Sequence, residues 1–308
     1  MKMIYALSII LLFFIFLFVC FYKAFYRPGQ KTDPKTVSPN KEYQKFREQI
    51  LALVENICSY PYEQVYIKSD DGLELAGRFY QGRSGAPVII MFHGYHSAAC
   101  RDCSGMFKLA TELGWNMLLP DMRSHGLSQG RVISMGIKER TDCLRWVEYA
   151  SHRLGEETPI LLAGCSMGAS TIMMSAQLLP EQVKGLICDC GYSSVRAMIE
   201  SMAVRLRLPV KLSYFVMRLS AIIFGGFDPE SCSPLSSLAK SKIPVLIVHG
   251  EDDQLVPCSM ARENYDASAS DIKMLLTVPG AGHGMSFLAG EAKYRDAFRA
   301  FVKKLGLI

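Results

Sequence analysis

Blocks of like charge are scarce in this sequence. Lys and Arg exceed Asp and Glu by five across 308 residues, and they are scattered, so the clustered basic face interleaved with aromatics that marks nucleic-acid binding is missing. Nucleic acid is excluded as a partner on that ground. Paired metal ligands are equally sparse. Cys100 and Cys103 form one C-x-x-C and Cys188 and Cys190 one C-x-C, yet no second pair stands at zinc-site spacing, which leaves half of a structural site unsupplied. No metal and no cofactor is expected. The ten cysteines are spread along a long chain, many of them inside apolar runs, a usage that reads as buried free thiols and not as the disulfide framework of a small secreted domain. No internal repeat or low-complexity tract interrupts the order of the chain.

Charge is absent altogether from residues 4–22, IYALSIILLFFIFLFVCFY. At about 1.5 Å per residue a helix of that length crosses a hydrocarbon core of about 30 Å. Residues 1–26 are therefore expected to form a transmembrane anchor. A cleaved signal peptide is the alternative, but its apolar region runs to about 7–15 residues and ends at small side chains, whereas this one is longer and ends VCFYKAFY. Lipoprotein attachment at Cys20 is disfavoured by Val19, which stands where a small residue is needed. Lys2 and the amino terminus flank one side of the run, and Lys23, Arg27, Lys31 and Lys35 the other, a bias that puts the body in the cytoplasm. Residues 27–41 are polar and proline-bearing and read as a linker. From residue 42 to 59, apolar side chains at Phe46, Ile50, Leu53, Val54 and Ile57 follow helical spacing.

Half of the chain is apolar, enough for one large core, and residues 42–308 are expected to form a single α/β domain. An Asp-Gly pair between residues 64–69 and 73–80 signals an antiparallel hairpin. Short apolar strands then alternate with helical stretches, at residues 88–92, 115–120, 160–164, 183–189, 245–250 and 274–279. Strands unbroken by polar residues are buried on both faces, which implies a mostly parallel sheet covered by helices. One interval breaks the rhythm. Residues 195–240 begin with a helical, apolar and basic segment that Pro209 divides. A packed helical pair accounts for it, and so does a lid over a pocket or a membrane-facing surface, since long insertions in such domains are usually functional.

Residues 160–170, ILLAGCSMGAS, set two nucleophiles side by side after a strand. GCSMG fits G-x-S-x-G, in which the middle residue projects from a sharp strand-to-helix turn and the glycines lack the Cβ atoms that would collide there. Ser166 stands at that apex, and Cys165 one step earlier is expected to point into the packing of the sheet. A serine hydroxyl needs a base to take its proton and a carboxylate to hold the base. Asp253 in HGEDDQLVP and His283 in PGAGHG supply both, in the chain order this motif requires, each on a loop after a strand. Oxyanion donors are expected from the backbone N–H groups of Met167 and Tyr95. His96 is the candidate substrate contact; His93, His125 and His249 read as loop-ordering or packing residues, and His152 as solvent-exposed.

Taken together, FHGYHS, DMRSHGLSQG, GCSMG, HGEDDQLVP and GAGHG resemble the α/β-hydrolase superfamily, over about residues 62–305, and within it the membrane-attached bacterial serine hydrolases and serine aminopeptidase-like proteins. The resemblance implies an α/β-hydrolase fold with about eight strands, helices on both faces and a small helical lid insertion. It assigns the acid to Asp253 and not Asp252. Ser124 departs from the family pattern, where a glycine is usual. The function so implied is hydrolysis of an ester or related acyl bond through an acyl-enzyme, on a small-molecule or lipid-like acyl substrate, with the membrane as partner through the N-terminal helix. A peptidase or acyltransferase using the same triad, a non-catalytic binding module at the membrane, and a cysteine enzyme acting through Cys165 are the alternatives. The sequence leaves the oligomeric state open.

Overall fold

The computed structural model describes residues 1–27 and 32–308. Four residues of the expected linker, with Lys31 of the charge bias, lie outside the described residues. The chain opens with a helix at Lys2–Ala24 that is long and apolar enough to cross a membrane. Almost all of its large side chains are exposed; Leu17 and Phe21 are buried, because its C-terminal half meets the body of the protein.

The hairpin forms as the Asp-Gly pair dictates. Strands β1 (Glu63–Lys68) and β2 (Glu74–Tyr80) pair antiparallel, and Gly72 takes the positive φ of 85° that the turn needs. Strands β3 (Val88–Phe92), β4 (Asn116–Pro120), β5 (Ile160–Cys165), β6 (Val183–Asp189), β7 (Val245–Gly250) and β8 (Lys273–Val278) complete the sheet. Its order is β1-β2-β4-β3-β5-β6-β7-β8, antiparallel through β2–β4 and parallel from β4 onward. The strand order reverses beside β3, between β4 and β5, and ligands of open α/β sheets bind outside the strands' C-terminal ends at such a switch point.

Alternation along the buried strands feeds two core layers. Val88, Ile90 and Phe92 of β3 pack with Trp146 and Ile172 on one face, and Ile89 and Met91 with Phe107 and Phe298 on the other. Each face is closed by helices, Glu139–Leu154 and Met167–Ser175 on the first, Ser104–Leu113 and Glu291–Lys304 on the second. The helical stretch expected at residues 42–59 is broken at Phe46, into Lys41–Gln44 and Arg47–Ser59.

Pro209 divides the insertion as expected. It N-caps a helix at Val210–Ser220, which follows one at Val195–Arg205 and runs into a π-helical turn at Ala221–Gly225. This unit packs on the N-terminal helix: the Phe224 ring lies 5.3 Å from Phe18 and 5.9 Å from Phe21, and Phe227 meets Phe25 edge-on at 5.3 Å. The chain after that helix is also held. Arg27 N donates to Arg131 O (2.8 Å), Ile133 N to Phe25 O (2.8 Å), and the Arg101 guanidinium to Thr36 O (2.7 Å). The described part of the expected linker thus lies against the domain, because its backbone carbonyls and amides find partners there.

Candidate active site

β5 ends at Cys165, Ser166 turns the chain, and the helix Met167–Ser175 begins at once. The turn is sharp: Ser166 has φ 54° and ψ −116°, a conformation a non-glycine residue holds only when its surroundings enforce it. The glycines show what enforces it. A Cβ on Gly164 would lie 2.5 Å from Ala169 N, and one on Gly168 would lie 2.1 Å from the carbonyl oxygen of Phe92. Strand, turn and helix therefore approach within distances that no side chain permits. Ser166 N donates to Asp189 O (2.8 Å) and Ser170 N to Ser166 O (3.0 Å), which fixes the apex from both sides.

His283 lies on the loop after β8, with Nε2 2.9 Å from Ser166 Oγ and Nδ1 2.7 Å from Asp253 Oδ2. Asp253 lies on the loop after β7. Its Oδ1 accepts from Leu255 N (2.8 Å) and Val256 N (2.9 Å), and the His249 ring stands 3.3 Å from Oδ2. Burial works against the carboxylate, but the hydrogen bonds from His249 and His283 and the charge of His283 outweigh it and hold Asp253 below the usual carboxylate range. For His283, burial favours the neutral ring, while the bond to Asp253 and its charge favour the imidazolium; the balance raises the pKa. A serine, a base with raised affinity for protons and a carboxylate kept ionised are thus joined in one hydrogen-bonded chain.

The loop after β3 closes the other side. Gly94 N donates to Asp102 Oδ2 (2.8 Å), and a Cβ at Gly94 would lie 3.3 Å from the Ser166 Cβ, so this loop adjoins the serine. Met167 opens its helix, where a backbone N–H has no partner within the helix. Two buried histidines shape the loop. His93 Nε2 accepts from Met122 N (3.0 Å) and His125 Nε2 accepts from His96 N (3.0 Å); burial pulls both rings' pKa down, so they stay neutral and able to accept. Ser124 adopts φ 65° and its hydroxyl donates to Val132 O (3.0 Å), which is how a serine serves where a glycine is usual. His96 itself is exposed, stacks its ring on Tyr95 at 3.9 Å, and is not among the residues lining the cavity. The Tyr95 hydroxyl reaches away from Ser166 and donates to Ala24 O (2.9 Å) at the end of the N-terminal helix.

The Cys165 thiol lies 3.7 Å from the thiol of the fully buried Cys190, and the residue also borders the cavity. The bond to Cys190 lowers its pKa, but burial and the carboxylates Asp102, Asp189 and Asp253 raise it more, so the thiol stays protonated. Cys190, Asp253 and His283 bring three potential ligand atoms within 4.8 Å of one another. Asp253 and His283 bond each other, whereas the Cys190 thiol, pushed well up by burial, pairs with Cys165 instead. Sequence reading missed Asp102 and Asp189. Asp189, pushed up to about 6 by burial, accepts from Ser286 Oγ (2.9 Å); its place at the buried C-terminal end of β6 was the available signal.

Ser166 and His283 open into a cavity of about 1180 Å³. The insertion helices wall it with Met198, Met202, Leu212 and Met217, and the N-terminal helix contributes Phe13, Phe16 and Cys20.

Residues 84–221 match the family model of the serine aminopeptidases, S33, and residues 228–307 that of TAP-like proteins. The protein YqkD of Bacillus subtilis is 28% identical over 244 residues, 78% of each chain. Lysophosphatidylserine lipase ABHD12 of Danio rerio is 25% identical over 70% of this chain, which spans 55% of that protein. Among solved structures, the Pyrococcus furiosus esterase Pf2001 superposes with a TM-score of 0.66, at 21% identity, covering 81% of this chain and 93% of its own, a likeness of fold.

Proposed function

The chain belongs to the α/β-hydrolase superfamily, and from that premise we propose that it is a serine hydrolase cleaving an ester or related acyl bond. Esterase and lipase relatives support hydrolysis in general; the observation that carries the finer reading is the placement of His283 between Ser166 Oγ at 2.9 Å and Asp253 Oδ2 at 2.7 Å. In this reading His283 Nε2 takes the serine proton as Oγ attacks the acyl carbon. The oxygen that becomes negative is met by the N–H groups of Tyr95 and Met167. Collapse breaks the bond to the leaving group, which receives the proton from His283, and a water activated by the same ring releases the acid. Asp253 fixes the tautomer and stabilises the imidazolium without itself taking the proton.

The N-terminal helix serves in this reading as a membrane anchor, with the body on the cytoplasmic side by the charge bias of Lys23, Arg27 and Lys35. The insertion serves as a lid whose methionines adapt to an acyl group. Acyl transfer and peptide cleavage use the same first step and differ in acceptor or leaving group. A fluorophosphonate probe tests the proposal. Labelling of the wild type that disappears in Ser166→Ala is the expected outcome; folded wild type that stays unlabelled sinks it. Retention of activity in Ser166→Ala together with loss on iodoacetamide treatment would instead favour Cys165.

A further inference from the structure

The N-terminal helix does more than lie beside the domain. Phe13, Phe16, Cys20 and Lys23 line the cavity that holds Ser166 and His283, and their spacing of three, four and three residues places them on one face. Leu17 and Phe21, on the adjoining stripe, are buried, and the Phe21 ring packs against Phe224, which fixes the helix's rotation. From Phe13 to Lys23 that face runs about 15 Å. From Phe13 to Cys20 it is an apolar wall of the cavity that the insertion's methionines and Ser166 also line, and Lys23 adds one charge at its C-terminal end.

The rim of the cavity is apolar as well. Phe16 and Leu212 line the cavity while remaining 51% and 60% exposed, and Phe13, Leu206 and Leu208 do the same from the same two elements. Contiguous exposed apolar surface of this kind marks a membrane or ligand contact. Here it is continuous with a helix that is long and apolar enough to sit in a bilayer. A polar substrate arriving from water would cross this rim at a cost, whereas a hydrocarbon chain already in the bilayer would not.

We propose that the face of the N-terminal helix formed by Phe13, Phe16 and Cys20 is part of the substrate site, receiving the chain of a long-chain acyl ester that enters sideways from the bilayer. The inference rests on the serine-hydrolase reading for its chemistry, though not for the binding it describes. The helix is then a specificity element: its side chains set how much chain fits between it and the insertion before the ester reaches Ser166.

The test uses the full-length protein in detergent micelles, with two readouts. In the first, Ser166→Ala protein is photolysed with dodecanoic acid bearing a terminal diazirine and the adducts are mapped by mass spectrometry. Adducts at Phe13, Phe16 or Cys20 that a non-photoreactive dodecanoate competes away support the proposal; adducts confined to the outward Leu11 and Ile15 overturn it. This arm needs no turnover. In the second, the ratio of kcat/KM for a dodecanoyl and an acetyl ester is compared across variants. Phe16→Trp is expected to lower the ratio about tenfold, the scale on which a pocket discriminates by shape, and Ile15→Trp, on the exposed face away from the cavity, to leave it unchanged. Equal ratios in the two variants overturn the proposal. A wild type that hydrolyses neither ester removes the hydrolase reading alone, and the photolabelling still decides the binding.

Discussion

The edge of the sheet that holds Ser166, His283 and Asp253 and the apolar cap above it are organised by different physics. At the edge, contacts are directional and unforgiving: two amides hold one oxygen of Asp253, Asp189 O holds the amide of Ser166, and Gly164 and Gly168 leave no room for a methyl group. In the cap, rings and aliphatic chains meet without direction, as where Phe18, Phe21 and Phe224 cluster, and its ion pairs, such as Arg218 with Asp228 at 2.8 Å, lie near the surface. Directional polar geometry fails when one partner moves, whereas apolar packing of the right volume tolerates exchange. A protein built this way keeps its chemistry fixed and leaves its specificity free to vary.

The largest effects should therefore fall at the edge. Ser166→Ala is expected to lower kcat for an ester by about 10⁶-fold, and Asp253→Asn by about 10⁴-fold. Asp252→Asn, one residue away but exposed and outside the hydrogen-bonded chain, should leave kcat within about twofold. Steady-state assays of the three variants break the comparison if the two aspartates behave alike.

Next comes the support beneath the edge. Arg123 is almost wholly buried and is gripped by Asp142 (2.6 and 2.7 Å) and by Asp71 (2.9 and 3.1 Å). Arg123→Ala strands a buried carboxylate and should cost about 3–5 kcal/mol of folding stability, read by denaturant titration. A loss under about 1 kcal/mol would show that the network beneath the site is dispensable.

A smaller effect is read in pH. Only neutral His283 can accept the serine proton, and its pKa is raised by Asp253 against the opposing effect of burial. The acid limb of kcat/KM should therefore lie above the ordinary histidine value, with activity falling about tenfold per pH unit below it. In Asp253→Asn the residual activity should show that limb moved down, since the charge that raised it is gone. A limb that does not move would assign the titration to another group, such as Asp189, whose carboxyl is pushed up to about 6.

Much of the edge was legible in the sequence because its geometry is encoded locally. G-x-S-x-G, the aspartate after β7 and the histidine after β8 each sit one short loop beyond an apolar strand, and parallel strands bring such loops to one side. The hairpin and the division at Pro209 were legible for the same reason. The break at Phe46 and the roles of Asp102 and Asp189 were not, because each depends on a neighbour distant in the chain. The position of the N-terminal helix was the least legible: hydropathy shows that residues 4–22 avoid water, but not that one stripe of them lines the cavity into which Ser166 opens.

Tyr95 is where the two regions meet. Its backbone belongs to the loop beside the serine, and its hydroxyl donates to the carbonyl of Ala24, the last residue of the N-terminal helix. Tyr95→Phe keeps the ring stacked on His96 and leaves the backbone N–H in place, so it removes that one tether. One neutral hydrogen bond contributes about 0.5–1.5 kcal/mol. If the edge is held independently, by Asp102 on Gly94 and His125 on His96, the variant should lose about that much thermal stability while kcat for an acetyl ester changes by less than about threefold. A loss of about a hundredfold would mean that an oxyanion donor has moved, since removing one such donor costs about 2.7–4 kcal/mol of transition-state stabilisation. The N-terminal helix would then set the geometry of the oxyanion donors as well as the wall of the cavity, and the division between a rigid edge and a tolerant cap would not hold at this residue.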